Sequence, residues 1–134
     1  MIAIPPNTKI WIALGHTDMR KGFDGLSALV QTKLKRDPFC GHIFVFRGRR
    51  GHYLKTLWWD NHGLCLFAKR LEQGLFRWPR AGDEAAPMTA AQLSMLLEGL
   101  EWRHAREVKI ADARRLICAN MTHVESRSTT VLYT

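Results

Sequence analysis

The chain has 134 residues, 46% hydrophobic and 24% charged, enough for one globular domain and too few for most large catalytic folds. It has no run of 18 apolar residues and three widely spaced cysteines, which excludes a helical membrane span and argues against a disulfide framework. The net charge is +8, with +8 in residues 33–80 and −4 in residues 81–102, and Arg outnumbers Lys by 13 to 7, a distribution that suits contact with a polyanion.

Ile10 to Leu14 is a short apolar run that reads as a strand. Thr17 and Asp18 are placed to start a helix, the first as an N-cap and the second in the first turn. Phe23, Leu26, Val30 and Leu34 recur at three- and four-residue steps, the core stripe of an amphipathic helix over about residues 18–36. Gly22 and Gly25 weaken that helix by about 1 kcal/mol each relative to Ala, so something packs closely there or the helix begins late. Asp37-Pro38 ends it.

The next forty or so residues read as short strands with turn residues between them. His42–Arg47, Tyr53–Trp59, Leu64–Arg70 and Leu75–Trp78 are the expected strands, in a four-stranded antiparallel meander. The first hairpin has Arg47-Gly48-Arg49-Arg50-Gly51 at its tip. Trp58 and Trp59 are adjacent, so in a strand they face opposite sides. Residues 79–87 read as a polar linker. Thr89 and Gln92 form a T-x-x-Q capping box, and Leu93, Leu96, Leu97 and Leu100 mark a short helix ending near Trp102. Ala105, Val108, Ala111 and Leu116-Ile117 suggest one more helix, and from Met121 the chain is polar and frayed in character. The fold class is therefore α+β, a single domain with about four antiparallel strands packed with two or three helices.

The hairpin tip is the sharpest local feature. Its guanidinium groups sit between glycines that let the backbone approach a ligand, and a two-stranded ribbon can enter a groove or lie along phosphates. Lys55, Lys69, Arg70 and Arg77 lie on neighbouring strands and in alternate registers would join it. The expected nucleic-acid contacts are thus Arg47, Arg49, Arg50, Lys55, Lys69, Arg70 and Arg77. The sheet's aromatic residues could stack on bases, though core packing is the commoner use. Cys40, His42, His62 and Cys65 match no common zinc spacing. Asp18, Asp24, Asp37, Asp60 and Glu72 are scattered, most of them beside turn residues, so no carboxylate cluster for metal-assisted hydrolysis is expected. Gly22-Phe23-Asp24-Gly25 is a G-x-x-G, a weak match alone to the loop that clamps RNA in KH domains.

Several phrases together resemble one family. They are Thr17-Asp18-Met19-Arg20-Lys21-Gly22-Phe23-Asp24-Gly25-Leu26, the segment from Gly41 to Gly51, Leu57-Trp58-Trp59-Asp60, the segment from Gly63 to Leu71, and Leu97-Glu98-Gly99-Leu100. These are similar to TnpB, the small accessory protein encoded by the second reading frame of IS66-type bacterial insertion sequences. The resemblance covers about residues 4–103 and leaves residues 104–134 as an atypical C-terminal extension, partly helical or disordered. It implies a role in transposition beside a larger transposase. The family brings no established catalytic residue with it, and Arg20, Lys21, Asp24, Trp58, Trp59 and Asp60 enter as characteristic positions of unknown role. The expected protein is a non-catalytic, cytoplasmic accessory factor that needs no cofactor or metal. Its expected partners are DNA, with element ends foremost, and the transposase and other proteins of the same element. The alternative is an adaptor that docks onto the transposase without touching DNA, through the acidic segment 81–102.

Overall fold

Ile43-Phe44-Val45-Phe46 has no polar alternation because both faces of its strand are covered. In the computed structural model, which describes residues 4–5, 7–82, 84–103 and, as backbone, 130–133, it lies in the middle of a six-stranded mixed sheet. The elements in chain order are β1 (Ile10–His16), α1 (Phe23–Thr32), β2 (Ile43–Arg47), β3 (Tyr53–Trp59), β4 (Leu64–Arg70), β5 (Ala85–Met88), α2 (Ala90–Leu97) and β6 (Thr130–Tyr133). Across the sheet the order is β5-β1-β2-β3-β4-β6.

The architecture is α+β, as the sequence predicts, with two corrections to the sheet. First, β1 belongs to it and runs parallel to β2, with Ile10 opposite Ile43 and Ile12 opposite Val45. A parallel pair needs a crossover connection, and α1 supplies it. Second, Leu75–Trp78 is not a strand. Its Phe76 and Trp78 are buried against one face of the sheet, while Phe76 N–H and Trp78 Nε1–H both donate to the carbonyl of Gly51, at 3.0 and 2.9 Å. The segment covers the sheet without joining its ladder. The place beside β4 that a meander would give it goes to β6, and β5, which begins inside the expected linker, takes the outer position beside β1. Pro87 is tolerated there because β5 is an edge strand.

Each sheet face has its own core. Leu26 and Val30 of α1 pack on Phe44, Phe46, Leu57, Leu64 and Leu66. On the other face Leu93 and Leu96 of α2, with Phe76, Trp78 and Trp102, pack on Ile10, Ile12, Val45, Leu54 and Phe67. Trp58 joins the second cluster and Trp59 the first, on opposite faces as adjacent strand residues must be.

The helix over residues 18–36 is shorter than expected. It starts at Phe23 with Gly22 as N-cap and no side-chain cap. Thr17 does not cap it, because the helix begins six residues further on; Thr17 N–H instead donates to the Arg47 carbonyl at 2.9 Å. The helix ends before Asp37-Pro38, where Lys35 turns left-handed at φ 55°. The capping box at α2 is present: Thr89 Oγ1 accepts from Gln92 N–H and Gln92 Oε1 accepts from Thr89 N–H, at 3.1 and 2.9 Å. That helix stops at Leu97, short of Trp102. The expected helix after Ala105 lies outside the described residues. Beyond Met121, where a frayed end was expected, Thr130–Tyr133 pairs antiparallel with β4, Val131 opposite Phe67. No helix among the described residues is long and apolar enough to cross a membrane.

Candidate nucleic-acid interface

The ends of β1, β2 and β4 and the start of β3 meet at one end of the sheet. The hairpin tip stands there, and its backbone is pinned. Gly48 N–H donates to the Tyr53 carbonyl at 2.9 Å, Gly51 N–H to the Gly48 carbonyl at 3.2 Å and Leu71 N–H to the His52 carbonyl at 2.8 Å. Gly51 sits at φ 81°, a region L side chains rarely adopt. At Gly48 a Cβ would come within 2.8 Å of the Met19 side chain, so a larger residue there would force Met19 aside. Arg49 and Arg50 are exposed. They border a shallow cleft whose other walls include His16, Asp18, Met19, His52 and Tyr53.

Of the other expected contacts, Arg70 alone stands exposed at the tip's end of the sheet. Arg47 is half-buried on the α2 face, its guanidinium carbon 5.1 Å from the centre of the Trp78 ring. Burial pushes its pKa down from the ordinary value. Lys55 is 9% exposed. Its Nζ donates to the Lys21 carbonyl at 2.9 Å on the α1 face, and burial lowers its pKa against the opposing pull of Asp18. Lys69 points to the α2 face and donates to the Leu97 carbonyl at 2.6 Å, where a cation also suits the helix dipole. Leu54 pairs with Lys69 and Lys55 with Ala68, so alternation sends the two lysines to opposite faces. Arg70 is exposed at the tip's end of β4, opposite Tyr53, with Glu72 at 4.0 Å. Arg77 is exposed, and its carbonyl accepts from Trp102 Nε1 at 2.7 Å.

The characteristic positions divide in the same way. Arg20 is exposed beside the tip, and its guanidinium is paired side-on with the Asp18 carboxylate at 2.8–3.1 Å. That pair holds the Asp18 carboxyl down at about 2. In sequence Asp18 reads as a helix start. The D-x-R spacing in a turn was the one sign of the pair. Lys21 is exposed, its side chain lying over the position where Gly25 lacks a Cβ. Asp24 lies exposed in the first turn of α1. Trp58 and Trp59 are packing residues, the latter edge-on to Phe39 with ring centres 5.6 Å apart. Asp60 shapes the turn between β3 and β4: its Oδ1 accepts from His62 and Gly63 N–H, both at 2.9 Å, and these bonds hold its carboxyl below the usual range.

At the opposite end of the sheet, Arg36 stacks on Trp11, its guanidinium carbon 3.4 Å from the ring centre. Trp11 Nε1 donates to His42 Nδ1 at 3.2 Å. Burial, Lys9 and Arg36 lower the pKa of His42. Nothing in the sequence announces a stack between residues 25 apart. Among the described residues, no three of His, Cys, Asp and Glu are grouped to hold a metal; His42 is engaged by Trp11, and Cys65 is buried in the sheet.

No solved structure matches the chain. A protein of Sinorhizobium fredii known as uncharacterized protein y4hO is 51% identical over 107 residues, covering 80% of this chain and 93% of the relative. A second from the same organism, uncharacterized protein y4jC, is 40% identical over 106 residues, covering 79% and 91%. The IS66 Orf2-like protein family matches residues 8–107, a stretch that contains β1 through α2 and the whole basic end of the sheet, and the chain belongs to that family of IS66-type insertion sequences.

Proposed function

We propose that the protein is a non-catalytic accessory factor in the transposition of its element, and that it binds duplex DNA through the basic end of its sheet. The observation that carries this reading is the pinned tip with two exposed arginines, Arg49 and Arg50, projecting beside a cleft. A fixed backbone lets long cationic side chains reach phosphates without first ordering the loop. Arg70 and Lys21, exposed at the same end, extend the footprint. Lys55 and Lys69, already held by backbone carbonyls, serve the fold instead.

The site acts in the cytoplasm, where element DNA lies, and the remaining surface meets the transposase and other proteins of the element. Family membership supports the transposition context. A gel shift of the purified protein on element-end and random duplexes at several salt concentrations tests the reading. Binding that falls steeply with salt is expected. Absence of binding at low salt moves the assignment to an adaptor that docks onto the transposase without direct DNA contact.

A further inference from the structure

We propose that Arg20, held in place by Asp18, reads a guanine edge in the DNA groove, while the tip arginines contact phosphates. The inference rests on the DNA-binding reading above and assigns a division of labour within it.

The geometry is that of a prepared fork. Arg20 Nε donates to both Asp18 oxygens at 3.0 and 3.1 Å, and Nη2 to Oδ2 at 2.8 Å. The Arg20 backbone N–H also donates to Oδ1 at 2.9 Å. One edge of the guanidinium is thereby occupied. The Arg20 side chain is nevertheless 91% exposed, so its outer end offers the remaining N–H donors to solvent. Two parallel donors from one Arg are what the O6 and N7 acceptors of guanine take.

Charge decides between a base and a phosphate. The Asp18–Arg20 pair is neutral as a unit, and a phosphate brought to Arg20 would also meet the Asp18 carboxylate. A guanine edge is uncharged and meets no such opposition. Arg49 and Arg50 have no acidic partner among the ion pairs of the described residues, and so suit phosphates.

The loop is also held still. Lys21 N–H donates to the Asp18 carbonyl at 3.1 Å, Thr17 N–H to the Arg47 carbonyl at 2.9 Å, and the Lys55 ammonium to the Lys21 carbonyl at 2.9 Å. Met19 rests on Gly48. Arg20 therefore keeps a fixed place relative to the tip, as base reading requires.

The test is selection from a pool of duplexes with a randomised centre, using the full chain, Arg20→Ala, Arg20→Lys and Asp18→Ala. The wild-type chain should enrich a guanine at a fixed position. Replacing it with 7-deazaguanine, which lacks the N7 acceptor, should weaken wild-type binding about fivefold or more, the lower end of what a bidentate Arg–guanine pair discriminates. Arg20→Lys, which keeps the charge, should lose that discrimination while keeping the wild-type melting temperature and random-duplex affinity; Arg20→Ala should lose it too, with weaker binding to every duplex because the Asp18 carboxylate is uncovered. Asp18→Ala should bind random duplex more tightly and discriminate less. Wild-type discrimination between guanine and 7-deazaguanine retained in Arg20→Ala and Arg20→Lys, with the Ala variant's salt slope shallower by about 0.9, would make Arg20 a phosphate contact and leave the DNA reading intact. Enrichment of no guanine by a DNA-binding wild-type chain would also overturn the proposal. A wild-type chain that binds no duplex would end both readings.

Discussion

The Lys55 ammonium donates to the backbone carbonyl of Lys21 across 2.9 Å, and so ties the central strand β3 to the loop that carries Arg20. A lysine that reads in sequence as a DNA contact is thus a fastener between sheet and loop. Lys55→Met keeps the apolar stem and leaves the Lys21 carbonyl without this donor. Loss of a hydrogen bond to a charged group costs about 1.5–3 kcal/mol. Urea unfolding should show a loss of that size. An unchanged midpoint would mean that the bond contributes nothing net.

The Asp18 carboxyl should titrate at about 2, because the Arg20 guanidinium and N–H favour its ionised form. The folded value lies below the ordinary one of 3.8, so the pair's contribution is present above pH 4 and disappears as the pH falls toward 2. Carbon-detected NMR of the Asp18 carboxyl in the folded chain gives the midpoint, and in Arg20→Ala it should return toward the ordinary range. A wild-type midpoint near 4 would show that the fork does not form in solution.

The two cysteines of the described residues should differ sharply in reactivity. Cys40 is exposed, whereas Cys65 is buried in β4 and its thiol is pushed up to about 11 by burial and the neighbouring Asp60. Only the thiolate alkylates readily. Iodoacetamide labelling mapped by mass spectrometry should modify Cys40 at native pH and Cys65 only on unfolding. Equal labelling of both under native conditions would contradict the packing of β4.

Local pattern showed much of this fold and little of its long-range pairing. The Thr89–Gln92 box, the Leu26–Val30 stripe and the β2–β3–β4 meander follow from caps and periodicity, which act over a few residues. The place of Ile10–Leu14 did not, because a parallel partner is reached only through a helix and leaves no turn signature. The strand–helix–strand order was the available clue. Leu75–Trp78 has a strand's apolar content, yet its Phe76 and Trp78 side chains cover one face of the sheet and the Trp78 indole N–H bonds the Gly51 carbonyl. The hairpin tip was legible from its glycines and arginines. The fates of Lys55 and Lys69 were not, because a carbonyl supplied by a distant loop or helix end is invisible in the strand's own sequence.

Truncation after Arg103 tests the C-terminal extension. Among the described residues, the buried members of both core clusters lie within residues 10–102, and the shortened chain should still unfold cooperatively. Loss of Thr130–Tyr133 bares the edge of β4, and an uncovered edge invites pairing with another strand. Light scattering should then show self-association that rises with concentration. Loss of the cooperative transition would mean that the extension is required for the core, and a strictly monomeric truncated chain would mean that β6 does not guard the edge.

The central claim is that Arg49 and Arg50 hold DNA phosphates from a pinned hairpin tip. The measurement that meets it most directly is the dependence of duplex affinity on salt for the full chain and for the Arg49→Ala, Arg50→Ala double variant. Each phosphate contact contributes about 0.9 to the slope of log affinity against log salt on duplex DNA. Losing both should flatten the slope by about 1.8, with melting unchanged within about 0.5 kcal/mol because the positions are exposed. A folded double variant with the wild-type affinity and slope would contradict the claim.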